Sequence, residues 1–202
     1  AEPDPDLKLL AELKKHDLEV DWLINNAGYG SVGDFSKLDR ENELKMIDLN
    51  IRSLVALTHR YLGPMRERKS GKIINVSSAA GFQPIPFMAT YAATKAFVSS
   101  FSEAIAEENA PYGIQVLALC PGSTKTNFFN ASGIDRPIQV KGQQTVDDVI
   151  ETAMKATASG RRKVVSGFAN KVGAFGRGWE HSLDKRLTMN GTILLRLNKG
   201  TT

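Results

Sequence analysis

A single cysteine, Cys120, stands in the chain, so no internal disulfide can form and a reducing cytoplasm is the expected home. No apolar run is long enough to cross a bilayer; the longest, such as Ile114 to Cys120, fall far short. No charged-then-apolar stretch opens the chain as a secretion signal would. The three histidines, His16, His59 and His181, are scattered and have no cysteine or carboxylate companions at ligand spacing, so no metal site is expected. Nucleic acid is excluded as a partner too. The net charge of +4 is spread along the chain, and only Arg161-Arg162-Lys163 forms a basic run, without interleaved aromatics. No internal repeat, low-complexity tract or long linker divides the sequence. Residues 1–202 therefore read as one domain, with 42% apolar and 24% charged residues, enough to bury an ordinary globular core.

What is present alternates. Leu9, Leu10 and Leu13 predict a short amphipathic helix over Leu7 to His16. Trp22-Leu23-Ile24 reads as a strand entering a turn at Asn25-Asn26-Ala27-Gly28. From Asp39 to about Glu67, Leu44, Ile47, Ile51, Leu54, Val55 and Leu62 recur at helical spacing. Further strands are expected at Lys72 to Val76, Ile114 to Leu119 and Lys163 to Val165. A helix from Ala89 to Asn109 is stopped by Pro111 and Gly113, and another should start at the capping box Thr145-x-x-Asp148 and reach Ala158. Strands alternating with helices imply an α/β fold with a parallel sheet covered on both faces. Right-handed crossovers would then gather Asn25, Ser77-Ser78 and Pro121-Gly122 on one carboxyl edge, where ligands bind.

Tyr91 and Lys95 lie four residues apart on the Ala89–Asn109 helix, with Ser78 thirteen residues before the tyrosine. That spacing puts phenol and ammonium on one helix face. An unperturbed tyrosine ionises near pH 10 and is a poor base at neutrality. A cation about 4 Å from it contributes on the order of 4 kcal/mol at an effective dielectric of about 20, enough to lower the pKa by about three units. Such a phenol could pass a proton to or from a carbonyl or alcohol oxygen, beside a serine hydroxyl that steadies the developing charge. The thirteen-residue spacing selects Ser78 over Ser77.

Asn25-Asn26-Ala27-Gly28, Asn50, Ser78, Tyr91-x-x-x-Lys95 and Pro121-Gly122-x-x-x-Thr126, in this order and spacing, resemble the short-chain dehydrogenase/reductase family. The likeness runs from roughly Asp21 to Thr126, with a weaker tail to about Val165. Phe82-Gln83-Pro84 followed by Tyr91 to Phe97 looks like a bacterial-type subgroup with poorly defined substrates. The resemblance implies a Rossmann-type doubly wound parallel sheet and a nicotinamide-dependent interconversion of alcohol and carbonyl. It implies Tyr91 as general acid and base, Lys95 as the group that lowers its pKa and holds the nicotinamide ribose, and Ser78 as the residue polarising the substrate oxygen. Asn50 would help hold a water linking Lys95 to solvent. Asn26, Ala27 and Gly28 would line the adenosine ribose. Pro121, Gly122, Thr124 (through its backbone) and Thr126 would hold the nicotinamide carboxamide. The cofactor is NADP or NAD, with the basic charge leaning to NADP. Subunits of this family pair through helices matching Asp39–Glu67 and Ala89–Asn109, so a homodimer or homotetramer is expected.

The family opens with a strand, a Gly-rich loop and further strand–helix units, roughly sixty residues with no counterpart here. The chain is therefore expected to be a truncated member that lacks its first strand–helix units and by itself neither binds a whole dinucleotide tightly nor turns one over. The alternative is a cofactor-deficient binding or oligomerisation module. Gly28-Tyr29-Gly30-Ser31-Val32-Gly33 fits the G-x-G-x-x-G pattern, but Asp34 to Lys37 separates it from the next helix. Asp48, at the distance of the ribose-binding acid, falls within a helix pattern. These glycines read as a flexible turn. Phe82, Ile85, Pro86, Phe87, Met88, Phe128 and Phe129 offer apolar surface near the site, for an apolar substrate, a flap or a subunit contact. The segment from about residue 170 to 202, with Trp179, Leu194, Leu195 and Leu197, is expected to close the substrate pocket.

Overall fold

The computed structural model describes residues 18–126 and 143–167, together with residues 11, 15, 16 and 128. Most of the expected Leu7–His16 helix, Phe129, His181 and the tail from about residue 170 lie outside the described residues. Four strands form one sheet in the order β1 (Trp22–Asn25), β2 (Gly71–Val76), β3 (Ile114–Cys120), β4 (Lys163–Val165), with every neighbouring pair parallel. Between them run helices α1 (Arg40–Ile47), α2 (Leu54–Glu67), α3 (Ala89–Asn109) and α4 (Val146–Ala158).

Strand alternation divides the core in two. Leu23, Ile73, Ile114 and Val116 pack against Tyr61 and Met65 of α2 and Ile105 and Ala106 of α3. Their neighbours Ile74, Leu117 and Leu119, with Val164, face the other way onto Ala153 and Ala156 of α4. This corrects the expectation of uniform crossovers. All three connections step across the sheet in the same direction, yet α4 lies on the opposite face from α2 and α3, so the third step turns with the opposite hand. The strand ends still gather at one edge, because all four strands run parallel. The expected cover is also incomplete over β1: Leu23 and Asn25 are buried, while Trp22 and Ile24 on the second face are 38% and 57% exposed.

Local chemistry explains the element ends. Asp39 caps α1 by accepting from the Asn42 amide at 2.7 Å, and the Thr145–Asp148 box caps α4 in both directions. Gly113 ends the α3 connection in the left-handed region, where a side chain would also meet the Lys69 carbonyl at 2.8 Å. Asn25 and Asn75, register partners on β1 and β2, join through a 2.8 Å hydrogen bond. Asn25 also donates to Thr58 of α2 and Asn75 to Ser102 of α3, a buried polar strut between sheet and helices.

The long helix expected from Asp39 to Glu67 runs unbroken from Arg40 to Glu67, but it is not α-helical throughout. Residues Asp48–Ser53 form a π-helical turn between α1 and α2. The wider turn carries Asn50, which is 2% exposed and brackets the backbone of Tyr29.

Candidate active site at the carboxyl edge of the sheet

Three strand ends and one helix meet here. After β2, Ser77 and Ser78 diverge. The Ser77 hydroxyl turns inward, donates to the Lys95 carbonyl at 2.6 Å and meets Ser99 at 2.8 Å. Ser78 is extended and accepts from the Ala80 amide at 3.1 Å, and its hydroxyl lies near enough to the Tyr91 phenol to pull the phenol's pKa down. Of the two serines, Ser78 is therefore the one beside the tyrosine.

Tyr91 and Lys95 project from the first two turns of α3, and both are buried, at 8% and 5% exposure. The expected depression of the tyrosine pKa is absent. Burial pushes the phenol above its ordinary value, and only the Ser78 hydrogen bond works against this. The reason is where Lys95 points. Its ammonium donates to the Val76 carbonyl at 2.9 Å and sits 5.9 Å from the centroid of the Tyr91 ring. Lys95 itself is brought down from 10.5 to about 8, because burial disfavours its charge.

Asn50 is held by three bonds. Its amide nitrogen donates to the Tyr29 carbonyl at 2.9 Å and to Thr94 at 3.1 Å, and its oxygen accepts from the Tyr29 amide at 3.1 Å. Thr94 in turn donates to the Tyr91 carbonyl at 2.8 Å. Asn50 is thereby tied to the helix turn that carries Tyr91, from a π turn within the long helix expected to carry it. Thr94 lies inside Tyr91-x-x-x-Lys95, and its spacing three after the tyrosine was the available signal for this link. Ser99, which joins Ser77 and lies 3.7 Å from Cys120, left no comparable trace.

After β1, Asn26 and Ala27 are exposed and Gly28 is half-buried. A methyl group on Gly28 would lie 2.8 Å from Asn50 Oδ1 and 3.4 Å from Lys95 Nζ. After β3, Pro121, Gly122 and Thr124 are half-buried and Thr126 is exposed. Thr124 donates its hydroxyl to the Gly122 carbonyl at 3.0 Å and pairs in parallel with Gln144. The two bonds of that pairing use Ser123 and Lys125, so Thr124's own amide takes no part in it. The Phe128 ring lies 5.4 Å from that of Tyr91 and walls one side of the phenol.

The chemistry available is proton transfer at one buried oxygen. Tyr91 is a protonated phenol at neutral pH, with the Ser78 hydroxyl and the Lys95 ammonium near it. Lys95 spends one N–H on Val76 and keeps two more donors at a close-packed glycine wall, a donor set suited to a vicinal diol such as a ribose.

A family model described as short chain dehydrogenase matches residues 6–137. The chain is 38% identical over 120 residues to the acetoacetyl-CoA reductase of Paracoccus denitrificans, covering 59% of this chain and 49% of that protein. It is 32% identical over 135 residues to the 7beta-hydroxysteroid dehydrogenase of Clostridium sardiniense, covering 67% of this chain and 52% of that one. The chain thus spans about half the length of these curated relatives. Among solved structures it resembles a short-chain dehydrogenase from Sphingobium yanoikuyae in complex with NADPH, at a TM-score of 0.72 and 29% identity over 86% of this chain and 68% of the other.

Proposed function

The chain belongs to the short-chain dehydrogenase family, and from that premise we propose that its carboxyl-edge site interconverts an alcohol and a carbonyl with NADP or NAD. The observation that carries the reading is the meeting of Ser78, Tyr91, Lys95 and Asn50 at one strand edge, where the Ser78 hydroxyl acts on the Tyr91 phenol. In reduction, Tyr91 gives its phenolic proton to the carbonyl oxygen while the Ser78 hydroxyl steadies the charge developing there. In oxidation the same phenol, as phenolate, takes the proton from the alcohol. When bound, the nicotinamide supplies the hydride in one direction and accepts it in the other. Lys95 would hold the nicotinamide ribose; Asn26, Ala27 and Gly28 would line the adenosine ribose; Pro121, Gly122, Thr124 and Thr126 would hold the carboxamide. The raised phenol favours the acid role, since it keeps the proton to be donated. The relatives act on acyl thioester and steroid substrates by name, and Phe128 against Tyr91 gives this site an apolar wall, so the carbonyl substrate carries a sizeable apolar part. The protein works in the cytoplasm as a homodimer or homotetramer, with NADP favoured over NAD.

Assaying reduced nicotinamide mononucleotide and NADPH at millimolar concentration with ring and long-chain ketones tests this. The parent chain should oxidise the nicotinamide, and Tyr91→Phe should lower the rate by about two to four orders of magnitude.

A second reading is favoured by the exposed apolar residues Trp22 and Ile24 on β1, Leu44 and Ile47 on α1, and Phe97 on α3. In that reading the chain is a binding or oligomerisation module without catalysis. Titration with both dinucleotides tests this second reading, which micromolar binding would exclude.

A further inference from the structure

The run from Gly28 to Gly33, which the nucleotide fingerprint does not explain, is a close-packed collar on the reactive side chains and no loose turn. A methyl on Gly30 would stand 3.0 Å from the Tyr91 ring and 3.2 Å from that of Phe128, and one on Gly33 would meet Leu38 at 2.9 Å. The collar is fastened from outside at several points. The Gly33 amide donates to the Phe87 carbonyl at 2.9 Å, and Phe87 itself adopts the left-handed φ of 66° rare for a bulky residue. The Tyr29 hydroxyl donates to the Asn42 carbonyl at 2.8 Å, and Asn50 brackets the Tyr29 peptide.

The innermost fastening has no part in the chemistry described above. The Ser31 hydroxyl donates to Glu43 Oε1 at 2.5 Å, and the two residues are 4% and 6% exposed. The other oxygen of Glu43 is buried and finds no hydrogen-bond partner among the described residues. A carboxylate so enclosed, with one oxygen unsatisfied, is costly to the fold. Its single hydrogen bond anchors the residue next to Gly30, whose backbone lies against the Tyr91 ring.

We propose that Glu43 is a positioning residue for Tyr91: through Ser31 it presses the Gly30 backbone onto the phenol ring and keeps water from that side of it. Glu43 does not act on the phenol by its charge. The causes acting on Tyr91 are burial and Ser78, whereas the Glu43 charge bears on Tyr29. The proposal rests on Tyr91 as the proton carrier, but its test reads the phenol without cofactor or turnover, so a failed activity assay leaves it untouched.

The test follows phenolate absorbance against pH, taking the difference between each chain and its Tyr91→Phe counterpart, within the range where circular dichroism shows the fold intact. Glu43→Ala and Ser31→Ala should bring the onset of Tyr91 ionisation down by about half a pH unit or more, as water reaches the ring. Glu43→Gln keeps an acceptor for the Ser31 hydroxyl and should leave the onset within about 0.2 units of the parent. An onset unmoved in Glu43→Ala, even with lowered stability, overturns the proposal. So does Glu43→Gln shifting as far as Glu43→Ala, which would mean that charge and not the hydrogen bond matters. Should Glu43→Ala fail to fold, the smaller truncation Ser31→Ala decides, and an unmoved onset there overturns the proposal equally.

Discussion

Replacing Lys95 by methionine should stabilise the protein at neutral pH and remove a rise in stability that the parent shows in mild alkali. In the folded chain Lys95 gives up its proton at about 8, against 10.5 for the free group, because its ammonium is buried with one carbonyl as partner. Between those two values the unfolded chain binds more protons than the folded one, so folding grows more favourable as the pH rises. Below about 8 the whole penalty applies. A drop of about two and a half units corresponds to on the order of 3 kcal/mol. The same linkage makes the parent about 1 kcal/mol more stable at pH 9 than at pH 7 through this one group. Lys95→Met removes the charge and its titration while keeping much of the side-chain volume. It also loses the bond to Val76, worth about 1 kcal/mol at every pH, which leaves a net gain of about 2 kcal/mol at pH 7. Tyr91, whose pKa is raised, acts with the opposite sign and only above pH 10, in both chains alike. Urea unfolding at the two pH values measures the difference. If parent and variant show parallel profiles, the ammonium is not desolvated as described and the reasoning fails.

Other substitutions test the frame around the site. Asn75→Leu removes the acceptor for Asn25 and the donor to Ser102 at a fully buried position, and should cost about 2 to 4 kcal/mol in urea unfolding; a neutral result would mean the strut is dispensable. Thr145→Ala takes away the α4 capping box and should cost about 1 kcal/mol. Because α4 lies on the other face of the sheet, the ionisation of Tyr91 should not move in Thr145→Ala, and a shift there would contradict the separation of the two cores.

Helix spacing and turn residues made α3, α4 and the four strands legible, because periodicity and caps are local properties of the chain. The π-helical widening at Asp48–Ser53 was not. The apolar spacing runs through it smoothly, and the π turn answers to contacts of Asn50 with Tyr29 and Thr94 that are distant in sequence. The face chosen by α4 was equally hidden, since strand order and crossover side are long-range outcomes. At the site, the Tyr91–Lys95 spacing announced shared placement on α3. It could not say that the ammonium would reach for Val76, leaving Ser78 alone to oppose the effect of burial on the phenol. The glycines at 28, 30 and 33 were visible, but their use depends on Asn50, Lys95, Tyr91 and Leu38 arriving from elsewhere.

Deuterium tracking reads hydride transfer at the Tyr91 site itself. Reduced nicotinamide mononucleotide deuterated at C4 is incubated with a ketone and the chain, and the alcohol product is examined by mass spectrometry. The parent chain should place one deuterium on the carbinol carbon, and Tyr91→Phe should lose that product. Label transfer that survives Tyr91→Phe undiminished, or no transfer to any ketone by the parent, would contradict the proposed reaction.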